Sequence, residues 1–312
     1  MILSTCIDLT GDVPGPLLMA RLETDLKARK AAGADMLLLG RQKGGTVVPG
    51  RLDALIGAPA LASVADGTPM VAVLPALFSL PFHVARALSA ADFLTGGTMG
   101  WMPTVATWQA RAPGFGADYA VSDAEAPPKA LDMVRATQAL WDSWDADALI
   151  LDKASGRYLD TGHVRRVDYR GRYFDVMGPL NAARPPQGYP VLVADEADPI
   201  FSAAGFAAEL LLVGRENAAA LSDAIAALRA VGFAGRILAK VSPDDIDGCC
   251  PITDAAAIVG ADGFHVIAAD APAALTQLRA GQPSGDSRGS LRNRLSLAIP
   301  ANPFSTNRSV AA

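Results

Sequence analysis

The chain has 312 residues, 51% hydrophobic and 19% charged, which is apolar material for one large α/β domain or two small ones. A net charge of −5 without clustered Lys and Arg excludes a nucleic-acid footprint, and no apolar run reaches the roughly 18 residues that a membrane span requires. Three cysteines, two of them adjacent (Cys249 and Cys250), argue against a disulfide framework and for a reducing compartment; the start, MILSTCIDLTGD, lacks the basic opening and long apolar run of a signal peptide, so a cytoplasmic protein is expected.

Short apolar runs alternate with amphipathic ones. Ile2 to Leu9 is a strand candidate, and Pro16 to Ala32 follows at helical period, with Leu17, Leu18, Leu22 and Leu26 on one stripe and Gly33 at its end. Asp35 to Gly40 is a second strand and Asp53 to Ala65 a helix. Met70 to Leu77 is a third strand, Leu80 to Leu94 a helix, and Met99 to Val105 a fourth strand. Pro128 to Trp144 is a long helix. Tyr189 to Ala194, Leu210 to Val213, Ile237 to Val241 and Phe264 to Ala268 complete eight strands. They are separated by helices at Ile200 to Ala207, Asn217 to Val231 and Thr253 to Val259, with Pro272 to Arg279 last. The strands are near-continuous apolar runs, as in a parallel sheet covered on its faces. An open doubly wound sheet would read similarly, but eight repeats favour a closed (β/α)8 TIM barrel over residues 1–280. Residues 151–188 break the rhythm and predict an inserted hairpin excursion between the fourth helix and the fifth strand. Residues 281–312, rich in Ser, Arg, Asn and Gly, predict an extended C-terminal arm.

The fifth strand ends in the acidic turn Ala194-Asp195-Glu196-Ala197-Asp198, at the carboxyl end where barrels bind ligands. Asp198, directly before Pro199, is a helix N-cap candidate. His265 lies within the eighth strand and Lys240 near the end of the seventh, where alternate residues point into the barrel. His265 and Lys240 are the candidates for catalysis. Lys240 beside Asp195 and Glu196 reads either as a structural ion pair or as an activated amine. His83 and His163 read as helix and surface histidines, the tryptophans as packing, and Cys249-Cys250 lacks spaced partners for a metal.

Five stretches carry a resemblance: LWDSWDADALILDKASGRY (Leu140 to Tyr158), VDYRGRYFDVMGPLNAARPPQGYPVLV (Val167 to Val193), PFHVARALSAADFLTGGTMGW (Pro81 to Trp101), GADGFHVI (Gly260 to Ile267) and LRNRLSLAIPAN (Leu291 to Asn302). They resemble the bacterial luciferase-like flavin-dependent monooxygenases, in the branch acting on nitrilotriacetate, alkanesulfonates and dibenzothiophene sulfone. The resemblance implies a TIM barrel that takes reduced FMN from a separate flavin reductase and, with O2, oxygenates a small organic substrate. It also implies a homodimer or higher oligomer, with neither nucleic acid nor membrane as partner.

By position, the resemblance places Arg41, Met102, Thr104, Asp195 and Glu196 around the flavin, with Lys240 and His265 completing one pocket. Several positions depart from the family pattern. Gly40-Arg41 stands where an acidic residue is usual, and Met102-Pro103 where Asn is usual. Ser122 to Asp132 lacks the usual His and Arg-Tyr pair, and the acidic turn replaces a Ser-containing phosphate loop. Unpaired carboxylates facing a phosphate would repel it by about 4 kcal/mol per pair at 4 Å and an effective dielectric of 20. Arg41, Lys240 or Arg215 neutralising the acids, a capping role for them, or loss of FMN each resolve this. Three functions therefore stand: an FMN-dependent two-component monooxygenase; a non-catalytic barrel acting as partner subunit or binding protein; and a barrel enzyme using Lys240 with Asp195 or Glu196.

Overall fold

The computed structural model describes residues 1–9, 15–116, 121–280 and 288–305. Eight parallel strands close into a ring: β1 (Ile2–Ile7), β2 (Met36–Leu39), β3 (Met70–Pro75), β4 (Met99–Thr104), β5 (Val191–Asp195), β6 (Leu210–Val213), β7 (Arg236–Ser242) and β8 (Gly263–Val266). Each pairs with its neighbours in chain order, and the pairing of β8 with β1 closes the circle. The main helices are α1 (Gly15–Ala31), α2 (Ala54–Ala65), α3 (Pro81–Leu94), α4 (Ala126–Trp141), α5 (Ala218–Ala230) and α6 (Ala271–Arg279). The helices expected after β5 and β7 are tight 3-10 turns, Pro199–Ser202 and Ile252–Ala257.

Local signals account for the boundaries. Asp53, Asn217 and Asp270 cap α2, α5 and α6, each side chain accepting a backbone N–H of the first turn. Gly33, at φ +96°, ends the first unit in a conformation that side chains avoid.

The strands are buried on both faces. Leu3, Leu37, Ala72 and Trp101 pack outward under the helices. Cys6, Leu38, Val71, Met102, Val193, Leu212 and Leu238 fill the inside of the ring. A filled interior is normal for this fold, in which the chemistry belongs to the loops at the carboxyl ends of the strands. The two ends are also stopped. Val47 of a hairpin after β2 joins the interior cluster from the carboxyl end, and Leu291 and Leu295 join it from the floor.

Leu291 and Leu295 correct the expectation of an extended arm for 281–312. Within 288–305 the chain forms a short helix, α7 (Leu291–Leu295), entered through a Ser290–Asn293 capping box. Arg292 is fully buried, forked onto Glu209 (2.5 and 2.8 Å) and donating to the Tyr189 and Ala298 carbonyls. The Ser/Arg/Asn composition that reads as disorder is here a set of caps and ion pairs. Residues 281–287 and 306–312 lie outside the described residues.

The excursion after α4 carries two short hairpins, Leu149–Asp152 with Arg157–Leu159 and Tyr169–Arg170 with Asp175–Val176. The LWDSWD stretch fastens it. Asp142 accepts from Arg184 and from the Tyr189 hydroxyl. Ser143 accepts from Leu180 N–H (2.9 Å), and Trp144 Nε1 donates to the Leu180 carbonyl (2.7 Å). Asp145 takes Arg165, Asn302 and Ser305.

Candidate functional site at the barrel mouth

Asp195, Lys240 and His265 come together inside the barrel, Met102 and Thr104 lie on β4, and Arg41 and Glu196 follow the carboxyl ends of β2 and β5 without facing inward. Lys240 on β7 points inward, and its Nζ lies 2.9 and 3.0 Å from the two oxygens of Asp195 on β5. Its third donor goes to the carbonyl of Gly45 at 2.9 Å. Burial pushes the Asp195 carboxyl up and the Lys240 charge opposes it. Facing Lys240 in register, His265 is wholly buried, with Nδ1 2.9 Å from Ser4 Oγ and Nε2 3.9 Å from Cys6 Sγ. Burial, helped by Lys240, lowers its pKa to about 3, so it is neutral at ordinary pH. Met102 lies in the interior cluster.

Arg41 and Glu196 are corrections. Arg41 begins the hairpin Arg41–Lys43/Thr46–Val48 and is exposed, because β2 ends at Leu39 and the next residues turn out of the ring. Glu196 is turned to the rim, where Arg215 grips it in a fork of 2.8 and 2.9 Å. Neither lines the interior.

Every acid of the turn is thereby accounted for. Asp195 has Lys240, and Glu196 has Arg215. Asp198 caps the Pro199 turn through Ile200 N–H (2.9 Å), also accepts from Val105 and Ala106 N–H, and binds the Thr104 hydroxyl. Two of the three carboxylates are paired with cations and the third is held by neutral donors, so the repulsion expected of three bare carboxylates does not arise.

The obstacle is steric. Thr104, Asp195, Lys240, Ser242 and His265 are each at most 3% exposed. Of these, Ser242 lines a cleft of about 240 Å³ together with Asp247, Cys249 and Pro251. Three loops produce this closure. The hairpin tip at Gly45 presses on Asp247 and Cys249, and Gly214 presses on Gly248 and on the Lys240 side chain, so closely that a Cβ at either glycine would overlap backbone. This cover was not among the features expected from the sequence. Its signal was the Gly-rich GRQKGG loop, which reads either as an anion cradle or as a flexible connection, followed by Val47 and Val48.

Elsewhere, a cleft of about 660 Å³ opens at the opposite end, between the floor of the barrel and α7, with Lys30, Asp35, Asp66 and Arg294 in its wall. Asp145, Asp147 and His163 hold their ligand atoms within 4.8 Å of one another. The Arg165 guanidinium already occupies Asp145, which opposes a cation there. No helix among the described residues is long and apolar enough to cross a membrane.

The chain is 32% identical over 301 residues to a subunit of the pristinamycin IIA synthase of Streptomyces pristinaespiralis, covering 91% of this chain and 96% of that protein. It is 36% identical over 133 residues to dibenzothiophene-sulfone monooxygenase of Rhodococcus erythropolis, a match to 43% of this chain and only 29% of that protein. Among solved structures, EDTA monooxygenase from Chelativorans sp. BNC1 shares the fold at a TM-score of 0.74 and 20% identity, over 96% of this chain and 99% of that one. No protein-family model matches the sequence.

Proposed function

We propose that this chain, which belongs to the luciferase-like family of flavin-dependent monooxygenases, works in a two-component, FMN-dependent monooxygenase: a separate reductase supplies reduced FMN, and with O2 a small organic substrate is oxygenated. The observation that carries this reading is the likeness to a synthase subunit along nearly its whole length, on a closed (β/α)8 barrel. When bound, the flavin supplies the oxygen chemistry, and the protein supplies position and a dry chamber.

FMN does not fit the mouth in this closed form, because the walls that would face its ring system are packed against each other. No reaction step is therefore assigned to it. The residues argue for particular roles all the same. Lys240 is the cation of the chamber and Asp195 its counter-ion. Thr104 and Met102 are wall. His265, neutral and enclosed, holds the β1–β8 junction together rather than moving a proton.

The closed mouth favours a second reading, in which this barrel is the companion of another that carries the flavin. The full-length relative is itself named as one subunit of a synthase, which agrees with assembly into an oligomer. The three free cysteines fit a reducing, cytoplasmic setting. The test is a coupled assay with a flavin reductase, NADH, FMN and 18O2 over a panel of small organic substrates. Substrate-dependent 18O incorporation supports the first reading. Its absence with this chain alone, and appearance only after a second luciferase-like barrel is added, supports the second.

A further inference from the structure

We propose that the cleft between helix α4 and the second hairpin of the excursion binds a small oxyanionic ligand, a phosphate or an organic acid, with Arg135 as its principal contact. None of the ring strands lines this cleft, and the site stands independently of the flavin reading.

Three observations converge. First, the cleft, about 390 Å³, is lined by three arginines (Arg135, Arg170 and Arg172) and a single acid, in a chain whose net charge is −5. That volume suits a small ligand rather than a macromolecule. Second, the acid is committed to structure. Asp132 on α4 is 7% exposed, and it accepts from the Tyr169 hydroxyl and from the N–H groups of Tyr173 (2.6 Å) and Phe174 (3.0 Å). Gly171 packs so closely on this carboxylate that a Cβ would overlap it. The tip Arg170-Gly171-Arg172 is thereby fixed on α4, with both arginines exposed at the cleft. Third, Arg135, one helical turn after Asp132, is exposed and makes no ion pair among the described residues. Its guanidinium lies against Gly205, where a Cβ would come within 2.7 Å of Nη2.

The chemistry of the lining identifies the ligand. A guanidinium is a planar fork of donors that matches the oxygens of a phosphate, sulfonate or carboxylate. Arg170 and Arg172 hold surface partners, Asp175 at 2.9 Å and Glu125 at 3.8 Å, and all four side chains are about half exposed or more. Exposed pairs of this kind are worth little, so these two arginines turn to a ligand at small cost. Arg135 has no acid to give up. The Arg172 guanidinium lies over the Tyr173 ring, 5.0 Å from its centre, and Pro128 and Leu131 add apolar wall. A flat apolar body therefore has a place beside the charged head, which favours an aromatic acid over a bare phosphate.

The experiment is calorimetric titration of the full chain, in low salt, with inorganic phosphate and separately with benzenesulfonate. Three forms are compared: wild type, Arg135→Gln, and Lys27→Gln, which removes the same charge from an exposed position on α1. The expected result is one saturable site per chain, weakened about tenfold in Arg135→Gln and unchanged in Lys27→Gln, with all three forms alike in circular dichroism. Tighter binding of benzenesulfonate than of phosphate assigns the cleft to an organic acid seated on its apolar wall; the reverse order assigns it to a phosphate. No saturable heat with either probe at the highest usable concentration overturns the site. So does binding that weakens equally in Arg135→Gln and Lys27→Gln, since the anions then sense only net charge. Neither probe is a flavin, so the failure of this site and the failure of the flavin reading are separate results.

Discussion

Lys240 and Asp195, on strands β7 and β5, meet across the barrel mouth through two hydrogen bonds of 2.9 and 3.0 Å, both side chains almost wholly buried. Breaking one half of such a pair leaves an uncompensated charge in a medium that cannot solvate it. Lys240→Met alone should therefore destabilise the chain by about 3–5 kcal/mol. The double replacement with Asp195→Leu should recover most of that loss, because two apolar groups of similar size need no solvation. Urea unfolding of the two variants checks this; equal losses would mean that the pair is not coupled.

Asp92 gives a pH-dependent stability. It is buried at the end of α3, accepting from Met99 N–H (3.1 Å) and from Gln187 N–H and Nε2 (3.3 and 2.7 Å). Desolvation raises its pKa from 3.8 to about 6 against those hydrogen bonds. The folded state therefore holds this proton more tightly than the unfolded state does. Its contribution is most favourable below the unfolded pKa and is lost as pH rises through the folded one. Between pH 4 and pH 6 the wild-type chain should lose roughly 2 kcal/mol from this group. Urea midpoints of Asp92→Asn, compared with wild type over that range, should lack this downward slope.

Arg292 is the rivet of the floor. Its fork onto Glu209 and its bonds to two carbonyls need a planar guanidinium. Arg292→Lys should cost at least about 3 kcal/mol and make 288–305 sensitive to protease. Arg294→Lys, two residues on and only partly buried, should do neither. Limited proteolysis and thermal melting of the two variants decide it.

Helix α2 carries no charged side chain from Ala54 to Ala65, and it packs beside α3. Between them they expose Ile56 at 65%, Phe93 at 47% and Leu94 at 65%. A helix apolar on all sides is normally covered. The proposed oligomer should bury this face, so Ile56→Glu with Leu94→Glu should shift the chain to monomer in light scattering, with no change in the circular dichroism spectrum.

The barrel was legible because its signal is periodic: eight buried runs such as MLLL (Met36–Leu39) and LLLV (Leu210–Val213) at regular spacing. The resemblance was legible for a different reason. LWDSWD is the clamp that binds the excursion and the tail, so it must persist whatever the mouth does. Arg41 misled because one residue of strand length decides whether a side chain faces the ring or leaves it. The tail misled because Arg292 and Asn302 act through partners more than 80 residues away in the chain, which no local pattern displays. The sequence leaves the acidic turn open between neutralising cations, a cap and a ligand contact, and the structure takes the first two: Lys240 on Asp195, Arg215 on Glu196, and Asp198 as the cap.

Whether this barrel handles reduced flavin is tested most directly by anaerobic titration with reduced FMN, followed by flavin fluorescence in low salt. Saturable binding of reduced FMN is expected. Absence of binding up to the highest usable concentration would contradict a flavin-handling barrel and leave the companion-barrel reading in its place.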